Sequence, residues 1–172
     1  MERPWMPTVK SMALAGLIWA ALLAPVSAQE TPTCQDLANE IVKSATTGVL
    51  KDAVEAKPEL KQLSDEELVL KAGRIFLAAE RPDFKAYGYM MLLWFGGKTG
   101  RELVVNIAPK LNTEADRAHY YFVLGLYQLR SSEPEVAAKG RDYVRQMRDS
   151  GKVEFVEDGT WDDLITGCRL PS

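Results

Sequence analysis

The stretch Phe84–Phe95, FKAYGYMMLLWF, decides the fold. After Lys85 it carries no charge, and Tyr87, Tyr89, Met90, Met91, Leu92, Leu93 and Trp94 leave it no wet face. A helix that is apolar all round is covered on several sides by other elements. The punctuation on either side suits a helix. Arg81-Pro82-Asp83 precedes it, with Asp83 as the expected N-cap, and Gly96-Gly97 follows, as glycine does at a helix C-terminus.

Working outward, the rest of the chain supplies the covering helices. Cys34 to about Leu50 sets Leu37, Ile41, Ala45 and Val49 at helical spacing. Lys57-Pro58 then marks a break. Ser64-Asp65-Glu66-Glu67 reads as a capping box opening a helix through Leu68, Ala72, Ile75, Phe76 and Ala79. Thr99 with Glu102 suggests a short capped helix through Leu103, Val104 and Ile107, stopped by Pro109. Thr113 opens another, with Glu114 and Asp116 in the turn that favours negative charge, running to about Arg130. Ser132 and Glu135 read as a capping box around Pro134, ahead of a helix to Gly151. Lys152–Glu157 (KVEFVE) alternates like a short strand turned at Asp158-Gly159, and Thr160–Cys168 reads as a last short helix. The expectation is an all-α domain of six or seven helices, arranged as antiparallel hairpins with short links.

Residues 1–28 read as a cleavable secretory signal ahead of a single helical domain, 29–172. Arg3 and Lys10 are positive, Met12–Leu23 is an uncharged apolar run, and Val26-Ser27-Ala28 offers small residues for cleavage after Ala28. The apolar run is shorter than the roughly 20 residues of a spanning helix. Cys34 follows Thr31-Pro32-Thr33 rather than the end of that run, which is the wrong context for a lipoprotein cysteine. The expected location is therefore periplasmic or secreted, with no stable membrane insertion. Removing Glu2, Arg3 and Lys10 from 21 basic and 24 acidic residues leaves 19 and 23, a net charge near −4. That sign argues against nucleic acid, which requires a positive field. The two cysteines, Cys34 and Cys168, lie near the ends of the mature chain, and an oxidising compartment favours a disulfide between them.

Two segments echo each other. Tyr89–Phe95 (YMMLLWF) aligns with Tyr121–Tyr127 (YFVLGLY) at an offset of 32. Tyr121-x-x-Leu124-Gly125, with Ala137 in the following helix, resembles part of the tetratricopeptide (or Sel1-like) helical-hairpin repeat. The late aromatic, small and proline positions of that repeat fall on Arg141, Val144 and Asp149, and the first copy has Leu93 where the glycine belongs. The resemblance implies helical hairpins around a concave surface that receives a protein or peptide.

Motifs for chemistry are missing. Gly96-Gly97-Lys98-Thr99 lacks the upstream glycine of a phosphate loop, whose place is taken by Leu92. His119 is the sole histidine and has no sequence-local partner. No HExxH, CxxC or GxSxG occurs, so no metal, cofactor or catalytic residue is assigned. Glu66-Glu67 and Asp162-Asp163 sit at helix starts, where the dipole accounts for them. The functional colour is aromatic. Tyr87, Tyr89, Trp94 and Phe95 lie on one helix, and Tyr120, Tyr121, Phe122 and Tyr127 on another. Large rings fill cores, yet tyrosine, tryptophan and arginine also dominate binding hot spots. Candidate partner-binding residues are Tyr87, Trp94, Tyr120, Tyr127 and Arg130, with Arg117 and Arg141 as further polar anchors. The expected function is non-enzymatic binding of another protein or peptide, as an envelope scaffold or a toxin-immunity protein. The alternatives are a small periplasmic stress or acid-response chaperone and, more remotely, an enzyme acting on the cell wall.

Overall fold

In a computed structural model, which describes residues 31–172, Phe84–Phe95 sits inside helix α3 (Pro82–Phe95), and its Ala86 and Gly88 to Leu93 are all buried. Three helices cover it. These are α1 (Cys34–Ala56), α2 (Asp65–Leu77) and α5 (Glu114–Leu129). A short α4 (Gly97–Val105) also packs against α3, and α6 (Pro134–Ser150) packs against α5. The chain closes with α7 (Asp158–Asp162) and a π-helical turn over Asp163–Gly167. The fold is all-α, and no helix among the described residues is long and apolar enough to cross a membrane. The signal-peptide reading of 1–28 lies outside the described residues.

Two hairpins, α2–α3 and α5–α6, meet through their inner helices α3 and α5. Their core joins Tyr89, Met90, Leu92 and Leu93 to Phe122, Val123, Leu126 and Leu129, with Ala38 and Val42 of α1 above. Each hairpin is closed by glycine. A Cβ on Gly88 would lie 2.9 Å from the carbonyl of Gly73, and one on Gly140 would lie 2.7 Å from that of Gly125. These backbones approach as closely as they do because there are no side chains between them. A shift of 52 carries Gly73 onto Gly125, Pro82 onto Pro134 and Gly88 onto Gly140. The 32-residue echo instead pairs α3 with α5, one the second helix of its hairpin and the other the first.

Several local expectations need correction. Asp83 is not an N-cap: Arg81 holds that place, Pro82 takes the first helical position, and Asp83 bonds back to the Arg81 guanidinium. Ser132 and Glu135 form no capping box, because Glu133 is the N-cap ahead of Pro134 and makes no side-chain cap bond. In both helices proline's fixed φ organises the start and its missing N–H leaves one fewer donor to cap. Thr99 does not cap α4, which begins two residues earlier. Gly97 at φ 57° lets the chain leave α3 and re-enter helix without a loop. Lys152–Glu157 is a run of turns rather than a strand, since the described residues hold no other strand to pair with it. Its apolar residues turn inward instead, and Phe155 packs on Tyr87, His119 and Phe122 at 5.6–5.9 Å between ring centres. The capping box at Ser64 and Glu67 and the Thr113 cap of α5 are formed as the sequence indicates.

The termini of the domain are tied together. Cys34 and Cys168 form a disulfide across 134 residues of sequence. Beside it the Cys34 amide donates to the Arg169 carbonyl at 2.9 Å, and the Arg169 amide donates to Pro32. Arg141, expected at a binding rim, has another role. Its Nη2 donates to the Cys168 carbonyl at 2.7 Å and lies 2.9 Å from Cys34 Sγ, so it clamps the junction to α6. Burial pushes its pKa down from the ordinary arginine value.

Candidate functional site

The aromatic residues singled out in the sequence divide into two groups. Trp94, Tyr127 and Arg130 come together. The indole and phenol rings meet edge to face at 5.3 Å, and the Arg130 guanidinium lies 5.0 Å from the centre of Trp94 and 5.3 Å from that of Tyr127. Trp94 is at the end of α3 and Tyr127 in the last turn of α5, so the packing of the two inner helices is what joins them. Arg130 is the C-cap of α5, where a cation complements the helix dipole. The Trp94 Nε1 donates to Asn39 Oδ1 of α1 at 3.0 Å, which fixes the plane of the indole.

Tyr87 and Tyr120 stand elsewhere. Tyr87 packs between Phe84 and Phe155 on the far end of α3. Tyr120 is 6 % exposed and wedged edge-on between Tyr89 and Tyr121, so it is core and does not face a partner. The reason is register: about two helical turns separate Tyr120 on the α3–α5 seam from Tyr127 at its open end. Arg117 donates to the carbonyls of Leu111 and Asn112 and secures the turn before α5.

Trp94 and Arg130 of this cluster line an open groove of about 860 Å³. Its size falls in the range of pockets that bury a small ligand or a short peptide segment. Leu50 of α1, Leu68 and Val69 of α2, and Met91 and Phe95 of α3 supply its apolar surface. Asn39, Lys43 and Thr47 line it from α1, and Asp65 and Glu66 from the first turn of α2. Phe95 is 46 % exposed there, which is high for a phenylalanine. Sequence reading missed Asn39, Lys43, Thr47 and the α2 residues. No local pattern links Asn39 to a tryptophan 55 residues away; only the α1–α3 packing makes the pair.

The opposite end of the α3–α5 seam is polar and closed. The Lys85 Nζ donates to Asp116 Oδ1 at 2.8 Å, both largely buried. Burial, with the Asp116 charge nearby, pushes the Tyr89 phenol up to about 12. His119 is 5 % exposed, its Nδ1 lies 2.8 Å from the Ala115 carbonyl, and its ring stacks on Phe155. A smaller hollow of about 470 Å³ touches His119, Asp83 and Glu154. Asp83 is already engaged by Arg81, and His119 has no carboxylate hydrogen-bond partner among the described residues. The described residues also hold no cluster of His, Cys, Asp and Glu suited to a metal ion. No protein family, curated protein or solved structure matches the chain.

Proposed function

We propose that this chain is an exported, non-enzymatic binding protein that holds a segment of another protein, or a peptide, in the groove between α1 and the α2–α3 hairpin. One observation carries the reading. Trp94 and Arg130, both in contact with Tyr127, line a groove whose surface is mostly apolar and also carries Asn39, Lys43, Thr47, Asp65 and Glu66. That is the composition of a binding hot spot surrounded by groups that orient a ligand. The disulfide suits the periplasm or the exterior, where such bonds persist. A tetratricopeptide-like relation between the hairpins belongs to the same proposal, since such repeats present concave surfaces to partners.

Site-specific photo-crosslinking in the periplasm tests it. A photoreactive phenylalanine at Phe95, in the groove, should give one discrete protein adduct. The same group at Val105, 64 % exposed and outside the groove, should not. Adding Trp94→Ala should abolish the Phe95 adduct. Equal labelling from both positions, or an adduct indifferent to Trp94, refutes the groove as the binding surface. The identity of the adduct separates an envelope scaffold from a toxin–immunity pair.

A further inference from the structure

Among the described residues two arginines are half-buried, Arg130 and Arg141, and the other arginines are exposed. Arg141 donates to the Cys168 carbonyl. Arg130 has no ion-pair partner and no hydrogen-bond acceptor among the described residues, and its Nε is buried. Withdrawing that Nε–H from water without an acceptor is costly. The two aromatic rings recover part of that cost through their faces, and the two Nη groups, which are not among the buried atoms, have no acceptor among the described residues and stay open to a ligand. A planar guanidinium held by ring contacts and lacking an acceptor is pre-organised for a carboxylate, which it binds through two parallel hydrogen bonds.

We infer that the groove takes the free C-terminal carboxylate of a peptide or protein with apolar last residues, the carboxylate pairing with Arg130. The inference rests on the reading of the groove as a peptide site and names the chemistry that site selects. Lys43, on the same lining, adds a second positive charge. Leu50, Leu68, Val69, Met91 and Phe95 receive the apolar side chains. Asp65 and Glu66 also face the groove, where they repel a second acidic group and attract a basic residue further up the bound chain. Peptide fits better than a fatty acid because the rim carries an amide, a hydroxyl and carboxylates. These groups match backbone amides and have nothing to bind on an alkyl chain.

The test uses the mature, oxidised protein and two pools of short N-terminally labelled peptides ending in apolar residues, one with free carboxylates and one with C-terminal amides. Fluorescence anisotropy should show the free-acid pool binding at least about ten-fold more tightly, with the preference shrinking as salt rises. Arg130→Gln should erase the preference while Arg130→Lys retains part of it, and melting curves check that both variants fold. Equal binding of the two pools that is lost in Trp94→Ala overturns the carboxylate inference and leaves the peptide groove standing. Tighter binding of palmitate than of either pool assigns Arg130 to a lipid carboxylate and overturns the peptide inference. If neither pool binds, the inference fails whatever the Phe95 cross-link shows.

Discussion

The two hairpins are built from the same parts and put to different use. Each joins its helices by a short link, starts its second helix with proline and crosses at a pair of glycines. They are inserted in opposite senses. In α2–α3 the second helix is the inner one, and in α5–α6 the first is. The outer helix α6 is tied to the termini by Arg141 and the disulfide, so it belongs to a stapled half. The outer helix α2 has no such tie, and its first turn lines the groove with α1. The difference shows how one packing solution yields a rigid buttress on one side and an open binding edge on the other. What sets them apart is the contacts of the outer helix rather than the crossing.

The largest effect should come from the staple. Reducing the disulfide, or Cys34→Ser, should lower stability by about 5 kcal/mol on the chain-entropy estimate for a loop beyond a hundred residues. Denaturant unfolding of oxidised and reduced protein measures this. A loss below about 1 kcal/mol would mean that the stapled half is held by packing alone, and the contrast between the hairpins would collapse.

The glycine crossings come next, and they should differ at the first glycine of each pair, since Gly88 meets backbone much as Gly140 does. In α5–α6 a Cβ on either glycine meets opposing backbone, with Gly140 also 2.8 Å from the Leu129 nitrogen. Gly140→Ala should therefore cost about 2–3 kcal/mol, and Gly125→Leu more, because backbone cannot move aside. In α2–α3 a Cβ on Gly73 meets the Leu92 side chain at 2.7 Å. The gain in helix propensity offsets much of that strain, so Gly73→Ala should stay within about 1 kcal/mol of wild type. Thermal melts of the three variants rank them. Equal losses at Gly73 and Gly140 would show that the Leu92 side chain is as unyielding as backbone.

The smallest effect concerns how the first helices start. Helix α2 opens with a reciprocal box, in which the Glu67 amide donates to Ser64 Oγ and the Ser64 amide to the Glu67 carboxylate. The Ser64 hydroxyl, which donates to the Glu67 carboxylate at 2.7 Å, and then the Ser64 amide hold the Glu67 carboxyl below its ordinary range. Helix α5 opens with Thr113 alone, bonded to the Asp116 amide. Either cap removed to alanine should cost about 1 kcal/mol. The readouts differ: hydrogen exchange should loosen in the first turn of α2, at the groove, for Ser64→Ala and beside the Lys85–Asp116 pair for Thr113→Ala.

Much of the architecture was legible in the sequence because helix signals are local. The Ser64 box, the Thr113 cap, the break at Lys57-Pro58 and the glycine stop at Gly151 each depend on residues a few positions apart. The relentless apolarity of Phe84–Phe95 announced a buried central helix for the same reason. Local reading misjudged starts where proline competes with a nearby capping residue, at Asp83 and Ser132. It also took the alternation of Lys152–Glu157 for a strand, a pattern that depends on a partner elsewhere in the chain. The site was half visible. Residue type alone singled out Trp94, Tyr127 and Arg130, but nothing in type distinguishes them from Tyr120, which the register of the α3–α5 seam buries.

Composition and spacing by themselves therefore determined the helical class, the number of helices, the cysteine pair and the absence of recognisable catalytic motifs. Each follows from short-range sequence or from simple counts. Only the tertiary structure decided which aromatic rings face solvent, that Asn39 reaches Trp94, and that Arg141 secures the disulfide while Arg130 is left without an acceptor. Those depend on which helix faces meet across gaps of 27 to 107 residues. Packing settles them through the summed contacts of whole helices, which no single stretch of sequence contains.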